Sequence, residues 1–305
     1  MDRVWSDGYN DEIDRCQKYY CNFKEGAGFI RDVFSVLQDY YQKNPGKAMP
    51  IANLPLSIDK ATDLMRKDQS LVFRPEIDRD LFCDLLNLSC HQIIKTNASL
   101  NNIVSDLKAK TEAFRATSDL SISLNKIEEF REALLSETEI GNDLLAFLFS
   151  IVLSSIYRRL LEPISEVLRT DLYEGGDCPL CGEKPHYGML KAEDGAKYLD
   201  CWLCGTRWMH ARVKCPYCSN EEREELGYFT IDEEEICRVH YCQACCCYYK
   251  IFDTRQFNAD GRIILAIHNL ASLEFDLLAR KEGFSSGSGL EWINEREIVE
   301  DYRKD

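Results

Sequence analysis

Cys178-Pro179-Leu180-Cys181-Gly182, Cys201-Trp202-Leu203-Cys204-Gly205, Cys215-Pro216-Tyr217-Cys218-Ser219 and Cys242-Gln243-Ala244-Cys245-Cys246 decide how this chain folds. Two residues between cysteines let both sulfurs of one turn reach a single metal ion, and two such turns complete a tetrahedral shell of four thiolates. A disulfide framework is the rival reading. It is weaker, because cysteines paired within one tight turn make poor structural bridges and nothing in the chain suggests secretion.

The spacing suggests how the turns combine. Nineteen residues separate Cys181 from Cys201 and twenty-three separate Cys218 from Cys242, whereas only ten separate Cys204 from Cys215. Two similar units therefore stand in tandem, an internal repeat of about 37 residues read from Cys178 to Cys215. In each, a first turn leads through a hairpin to a second turn, and an aromatic follows four residues after the last cysteine: Trp208 in one, Tyr249 in the other. The expectation is one metal on Cys178, Cys181, Cys201 and Cys204 and another on Cys215, Cys218, Cys242 and Cys245. A cross-braced pairing, first turn with third and second with fourth, stays open. Modules of this kind are rubredoxin-like or zinc-ribbon units, two knuckles on a small antiparallel sheet. A glycine after the second cysteine lets the backbone turn and aim amides at sulfur. Gly182 and Gly205 fill that place in the first unit, but Ser219 and Cys246 stand there in the second, which is expected to be the less regular site.

Four thiolates suit zinc and a mononuclear iron alike. Either way the protein fills every coordination position, which argues against a metal-bound water or substrate. Two readings remain: metals that hold together segments too small to fold alone, or iron that cycles between oxidation states. His186, His210 and His240 lie near the cysteines, as donors behind the thiolates, as a substituted ligand, or as surface residues. Trp202, Trp208, Tyr248 and Tyr249 flank the knuckles, as caps on their small cores or as a docking surface for a partner. Cys237, Cys246 and Cys247 exceed the eight required ligands. Cys246 and Cys247 follow a ligand directly, where a nearby cation would make a thiol reactive, and Cys237 lies in an expected strand.

The chain has 305 residues, of which 45% are hydrophobic, enough for about two domains with real cores. Its net charge is −15, and residues 173–255 hold about ten Lys or Arg against about fifteen Asp or Glu. That balance argues against a nucleic-acid backbone as partner. The runs Glu221, Glu222, Glu224, Glu225 and Asp232 to Glu235 read as solvated hairpin tips. Met1 to Asp7 carry no basic segment followed by an apolar run, so no secretory signal is expected. The longest apolar stretch, Leu144 to Leu153, reads as a buried core helix too short to span a bilayer. Fifteen cysteines without a signal point to a reducing compartment, the cytoplasm.

Before the cysteines, apolar residues recur at helical spacing. Gly26 to Asn44 aligns Ile30, Val33, Phe34, Leu37, Tyr40 and Tyr41, and Asp78 to Lys95 aligns Leu81, Leu85, Leu86, Leu88 and Ile93 after a break at Pro75. Ala98 to Lys110, Leu124 to Leu135 and Asn142 to Glu162 follow, the last expected to stop at Pro163. Cys16, Cys21, Cys83 and Cys90 fall within these helices as small core residues. Asn269 to Glu282 reads as one amphipathic helix with Glu274 and Asp276 on its solvated face, followed by a flexible segment from Gly283 to Gly289. The fold class is thus α+β: a helical bundle over 1–170, the tandem metal module over 171–255, and a C-terminal helix and tail over 256–305.

These residues carry a family resemblance. The run from Cys201 to Trp208, continuing through Arg212-Val213-Lys214-Cys215-Pro216-Tyr217-Cys218, resembles the central signature of the formate dehydrogenase accessory proteins, the FdhE family. Cys242 and Cys245 followed by Tyr248 and Lys250 resemble the closing motif, and Ala271-Ser272-Leu273, Asp276-Leu277-Leu278 and Glu282-Gly283-Phe284 the C-terminal helix. The resemblance implies a cytoplasmic maturation factor, not an enzyme, that binds the catalytic subunit of a molybdenum- or tungsten-dependent formate dehydrogenase. Ser219 and the triple Cys245-Cys246-Cys247 depart from the family pattern. A rubredoxin-like electron carrier and a zinc-ribbon nucleic-acid module are the alternatives from other classes.

Overall fold

Helices account for most of the chain up to residue 167, and strands dominate from 187 to 253, so the architecture is α+β as the sequence predicts. The computed structural model describes residues 8–20, 22–47, 51, 56–117, 119–192, 194–231, 236–257 and 263–287. Cys21 and the acidic run 232–235 lie outside them. Two compact units result: unit 1 takes the described residues within 1–34, 49–73 and 157–289, and unit 2 those within 35–48 and 74–156. The boundary expected near residue 170 falls inside unit 1.

The helical elements in chain order are α1 (Tyr9–Tyr19), α2 (Phe23–Lys43), α3 (Ile58–Met65), α4 (Arg79–Thr96), α5 (Asn101–Arg115), α6 (Leu124–Glu137) and α7 (Asn142–Val167). In unit 2, Asp78 caps α4 by accepting from the Leu81 amide at 2.7 Å, and Ser123 caps α6 by accepting from the Lys126 amide. Two-residue strands β1 (Ile77–Asp78) and β2 (Ser121–Ile122) pair across the starts of these helices. The core stacks Phe114 on Phe130 at 4.2 Å, with Phe82 edge-on to Phe149 at 5.5 Å. Cys83 and Cys90 are fully buried here, and Cys16 is fully buried in unit 1, as small apolar residues.

The last of these helices does not stop at Pro163 but continues to Val167. A proline removes one backbone bond, and burial of Ile164 and Leu168 on the same face as Leu161 outweighs that loss. The helix is long and apolar enough by length and composition to cross a membrane, with a mean hydropathy of 1.7, yet 67% of its apolar window is buried within the fold.

Unit 1 is built on one sheet. Its strands are β3 (Tyr187–Leu190), β4 (Lys197–Asp200), β5 (Arg207–Met209), β6 (Leu226–Phe229), β7 (Cys237–Cys242), β8 (Cys247–Asp253) and β9 (Ser285–Ser286). They run in the order β5-β4-β3-β8-β7-β6, with β9 added to β8. Each cysteine repeat supplies knuckle, two antiparallel strands, knuckle and a third strand. The repeats join through parallel pairing of β3 with β8, Tyr187 opposite Lys250 and Leu190 opposite Asp253. Two small sheets are thereby fused into one, a pairing between sequence-distant strands that periodicity does not report. Gly188 permits the close approach of β3 to β4, because a side chain there would place its first carbon 2.2 Å from the Tyr198 carbonyl oxygen.

After the sheet come α8 (Leu265–Ala271) and α9 (Leu273–Lys281). The single helix expected over Asn269 to Glu282 is broken at Ser272. The Lys250 ammonium donates to the carbonyls of Asn269 and Ser272, at 2.9 and 3.3 Å, on either side of the break. Asp276 is likewise not solvated: it accepts from Lys250 at 2.6 Å and from the Tyr248 hydroxyl at 2.9 Å. Glu274 takes the Asn22 amide. The Gly283 segment, as far as it is described, is ordered, because Phe284 stacks on Tyr241 at 4.6 Å and the Ser285 amide donates to the Cys246 carbonyl at 2.8 Å.

Candidate metal centres

Eight thiols gather into two groups of four: Cys178, Cys181, Cys201 and Cys204, and Cys215, Cys218, Cys242 and Cys245. Within each group the sulfurs lie within 4.8 Å of one another. The pairing is tandem, not cross-braced. Sulfur separations are 3.5 Å for Cys178 to Cys204 and Cys181 to Cys201, and 3.7 Å for Cys215 to Cys245 and Cys218 to Cys242. A tetrahedral shell with metal–sulfur bonds of about 2.3 Å has sulfur–sulfur edges of about 3.8 Å, so both groups fit one such ion each.

The knuckle turns explain the geometry. In the first three turns the amide of the residue directly after the second cysteine donates to the carbonyl of the first: Gly182 to Cys178 at 2.9 Å, Gly205 to Cys201 at 3.0 Å, Ser219 to Cys215 at 3.0 Å. Gly182 and Gly205 hold φ of 74°, the left-handed region that glycine enters freely. Ser219 and Cys246 hold φ of 62° and 55° in the second unit, so the same turn is made there by side-chain-bearing residues at a conformational cost. The irregularity expected of the second site lies in its strain, not in its path.

Electrostatics separate the sulfurs. Burial pushes the Cys181 and Cys201 thiols well above their usual range. Burial acts on Cys204 in the same sense, but hydrogen bonds from its three sulfur neighbours and from Thr206 outweigh it and bring it well below. In the second group burial lifts Cys215 to about 11, while Cys242 is lowered despite burial by the Cys245 amide and the Asn220 side chain. Four buried thiolates cannot coexist without a cation. A gathered shell with one sulfur already favoured as an anion is therefore fit to accept a soft, thiolate-preferring one.

Around the first group the protein supplies cover. The amides of Leu71 and Phe73 donate to the carbonyls of Pro179 and Leu180, each at 2.8 Å. Arg158 donates to the Cys201 carbonyl at 3.1 Å and lies across Gly205, where a first side-chain carbon would be 2.6 Å from its Nη1. Asp200 holds Arg207 at 2.8 Å. Beneath the second group Lys197, 1% exposed, donates to the carbonyls of Arg212 and Lys214 and to the Tyr249 hydroxyl at 3.0 Å. Burial pulls it down to about 7, and a Cys215 thiolate opposes that. Arg212 closes on the Gly195 carbonyl at the β3–β4 turn, which accounts for the arginine before the third knuckle.

None of the three histidines joins a sulfur group. His210 is 2% exposed and burial brings it to about 4; its ring lies near the backbone of Glu174, Gly175 and Lys214 without full hydrogen-bond geometry. His186 lies against Trp202 at 5.7 Å and His240 against Tyr249 at 5.5 Å. Trp202, Trp208, Tyr248 and Tyr249 are 6%, 0%, 3% and 5% exposed. They therefore pack the module's interior, and the apolar side chains turned outward are others: Met209, Val213, Tyr228 and Ile231 in the module, with Leu273 and Leu277 on α9. Glu221, Glu222 and Glu224 are exposed, in the turn before β6 and not at a hairpin tip. The polar clasp of Tyr248, Lys250 and Asp276 was not anticipated. Its only sequence signal was a lysine in an otherwise apolar strand.

Residues 177–212, holding the first group, match the family model described as FdhE, central domain. An FdhE homolog from Aquifex aeolicus is 32% identical over 151 residues, which are 48% of this chain and 52% of that protein. Over this central region the chain is similar to FdhE proteins. The FdhE protein of Escherichia coli is 29% identical over 172 residues, 54% of each chain. The crystal structure of the FdhE protein from Pseudomonas aeruginosa matches over 96% of this chain and 97% of its own, with a TM-score of 0.56 at 18% identity. The chain spans about half the length of the curated relatives it matches. The matched central domain ends before the second sulfur group.

Proposed function

We propose that this chain is a cytoplasmic accessory factor that binds the catalytic subunit of a molybdenum- or tungsten-dependent formate dehydrogenase before that enzyme is active or exported, and that it catalyses no reaction itself. The observation that carries this reading is the coincidence of the first four-thiol group with the FdhE central domain. Metal held by four protein sulfurs has no position left for substrate, so the ions serve to fix knuckles and sheet. The knuckle aromatics Trp202, Trp208, Tyr248 and Tyr249 act from within by holding that frame. The client meets the outward side chains, with Tyr228, Ile231, Leu273 and Leu277 as the first to substitute. Both zinc and iron suit the donors, and a rubredoxin-like carrier would differ by a visible absorption that bleaches reversibly on reduction.

The test is co-purification of a tagged full-length chain from cells grown on formate without oxygen, with elemental analysis of the same sample. Recovery of a formate dehydrogenase catalytic subunit with two metals per chain is expected. A metal-loaded chain that never retains that subunit would overturn the client assignment.

A further inference from the structure

The two sulfur groups share one backbone plan and differ in access. In the first, Cys178, Cys181 and Cys201 are 0% exposed and Cys204 is 3% exposed. Both of its knuckles are clamped from outside, one by the amides of Leu71 and Phe73, the other by Arg158. In the second, Cys215 and Cys242 are buried at 1% each, but Cys218 is exposed and Cys245 half-buried. Cover reaches the Cys246 turn through the Ser285 amide. Among the described residues no comparable clamp lies over Cys218. Beside this open edge stand further thiols: Cys246, exposed, and Cys247, half-buried, whose Sγ lies 3.3 Å from the Cys245 carbonyl. The turns at Ser219 and Cys246 are the two that hold a left-handed backbone without glycine, so this shell is also the less relaxed one.

We propose that the second group is a metal-exchange site, taking up and giving up a soft divalent cation through attack by an incoming thiol at the Cys218 edge, while the first group keeps its ion as long as the sheet is folded. The exchange is ligand substitution. The incoming thiol forms one metal–sulfur bond as the bond to Cys218 breaks, its proton passes to the departing Cys218 sulfur, and the oxidation state of the metal is unchanged. Cys245 follows as the next sulfur reached from solvent. Buried sulfurs offer an incoming thiol no such path, because the attacking atom must come within bonding distance of the ion. The inference is independent of the client assignment and requires only that both groups bind metal.

The experiment uses the full chain loaded with zinc, and follows transfer of zinc to a chromogenic chelator in the presence of a small dithiol. Two phases of one equivalent each are expected, with the fast one ahead by about tenfold or more. Cys218→Ser should lose the fast equivalent and keep the slow one, and Cys181→Ser the reverse. A single rate for both equivalents, or the opposite assignment, overturns the proposal. Should either variant fail to fold, brief alkylation of the zinc-loaded parent chain with mass mapping decides: labelling of Cys218 and Cys245 before Cys178, Cys181, Cys201 and Cys204 supports it, and simultaneous or reversed labelling refutes it.

Discussion

The first cysteine repeat reaches its knuckles with Gly182 and Gly205, while the second reaches the same left-handed turns with Ser219 and Cys246. One is enclosed by Arg158 and the 71–73 segment, and the other leaves Cys218 in solvent. The backbone route is thus set by the spacing of cysteines, which the repeats share. Rigidity and access are set by what packs against the turns, which they do not.

Removing a ligand is the strongest way to break this comparison. Binding to a structural four-thiolate zinc site is worth on the order of 10 kcal/mol, and that energy is folding energy for the segments it closes. Cys181→Ser should therefore strip amide-exchange protection from β3, β4 and β5, while α4, α5 and α6 in unit 2 stay protected. Cys218→Ser should loosen only the β6–β7 end. Equal loss across the sheet from either variant would mean that the fusion through β3 and β8 makes the two repeats one cooperative body. Loss in α4 to α6 would mean that the units do not fold separately.

Next in size is the buried clasp that ties α9 to the sheet. Lys250→Met leaves Asp276 facing a pocket without its cation, and breaking a buried ion pair this way costs about 3 to 5 kcal/mol. Denaturant unfolding should record that loss, and the double variant Lys250→Met with Asp276→Leu should recover most of it. Arg158→Ala is the matching lesion on the first repeat. It removes the donor to the Cys201 carbonyl, and should weaken the first metal by about tenfold while sparing the second. Equal weakening of both sites would remove the distinction drawn between them.

How much of this was legible in the sequence follows from the range of each interaction. Cys-x-x-Cys turns are local, so the eight sulfurs and the repeat could be read directly, as could the faces of α2 and α4 from Leu37 or Leu85, whereas the spacing favoured tandem pairing and left a cross-brace open. Pairings between distant segments left no periodic trace: β3 beside β8, the Leu71 and Phe73 amides on the first knuckle, and α1 joined to α8 through Glu12 and His268 at 2.8 Å. The helix break at Ser272 was hidden for the same reason, since Lys250, which donates to carbonyls on either side of it, is twenty-two residues away. The Trp and Tyr residues around the knuckles were correctly placed beside them, but a string of letters does not reveal which side of a turn is buried.

Acidification gives a smaller, graded effect. Burial first, then the Lys197 charge, hold His210 at about 4, below its ordinary range, and burial lowers His268 despite Glu12. A histidine whose folded pKa is depressed takes its proton more readily when unfolded. Its stabilising contribution is complete above about pH 6.5 and is lost as pH falls from there toward the folded value, at about 1.4 kcal/mol per pH unit. Glu12, itself lowered, adds a loss in the same direction below its ordinary range. Urea midpoints from pH 7 to 4 at saturating zinc should fall, and fall less steeply in His210→Gln. An unchanged slope in that variant would assign the dependence to the thiols.

The smallest effect bears most directly on the contrast between the repeats. A non-glycine residue in the left-handed region costs about 1 kcal/mol relative to glycine, so Ser219→Gly should stabilise the metal-loaded second repeat by about that amount. Cys246→Gly should do the same and remove a spare thiol. The converse change, Gly205→Ala, should cost more than the backbone term alone, because the new methyl would lie 2.6 Å from the Arg158 guanidinium and displace it from the knuckle. Thermal unfolding of the three variants at fixed zinc measures these shifts. If Ser219→Gly also slows transfer of the faster zinc ion, strain at the turn contributes to the openness of the second site. If it stabilises the repeat and leaves that rate unchanged, exposure of Cys218 alone accounts for it.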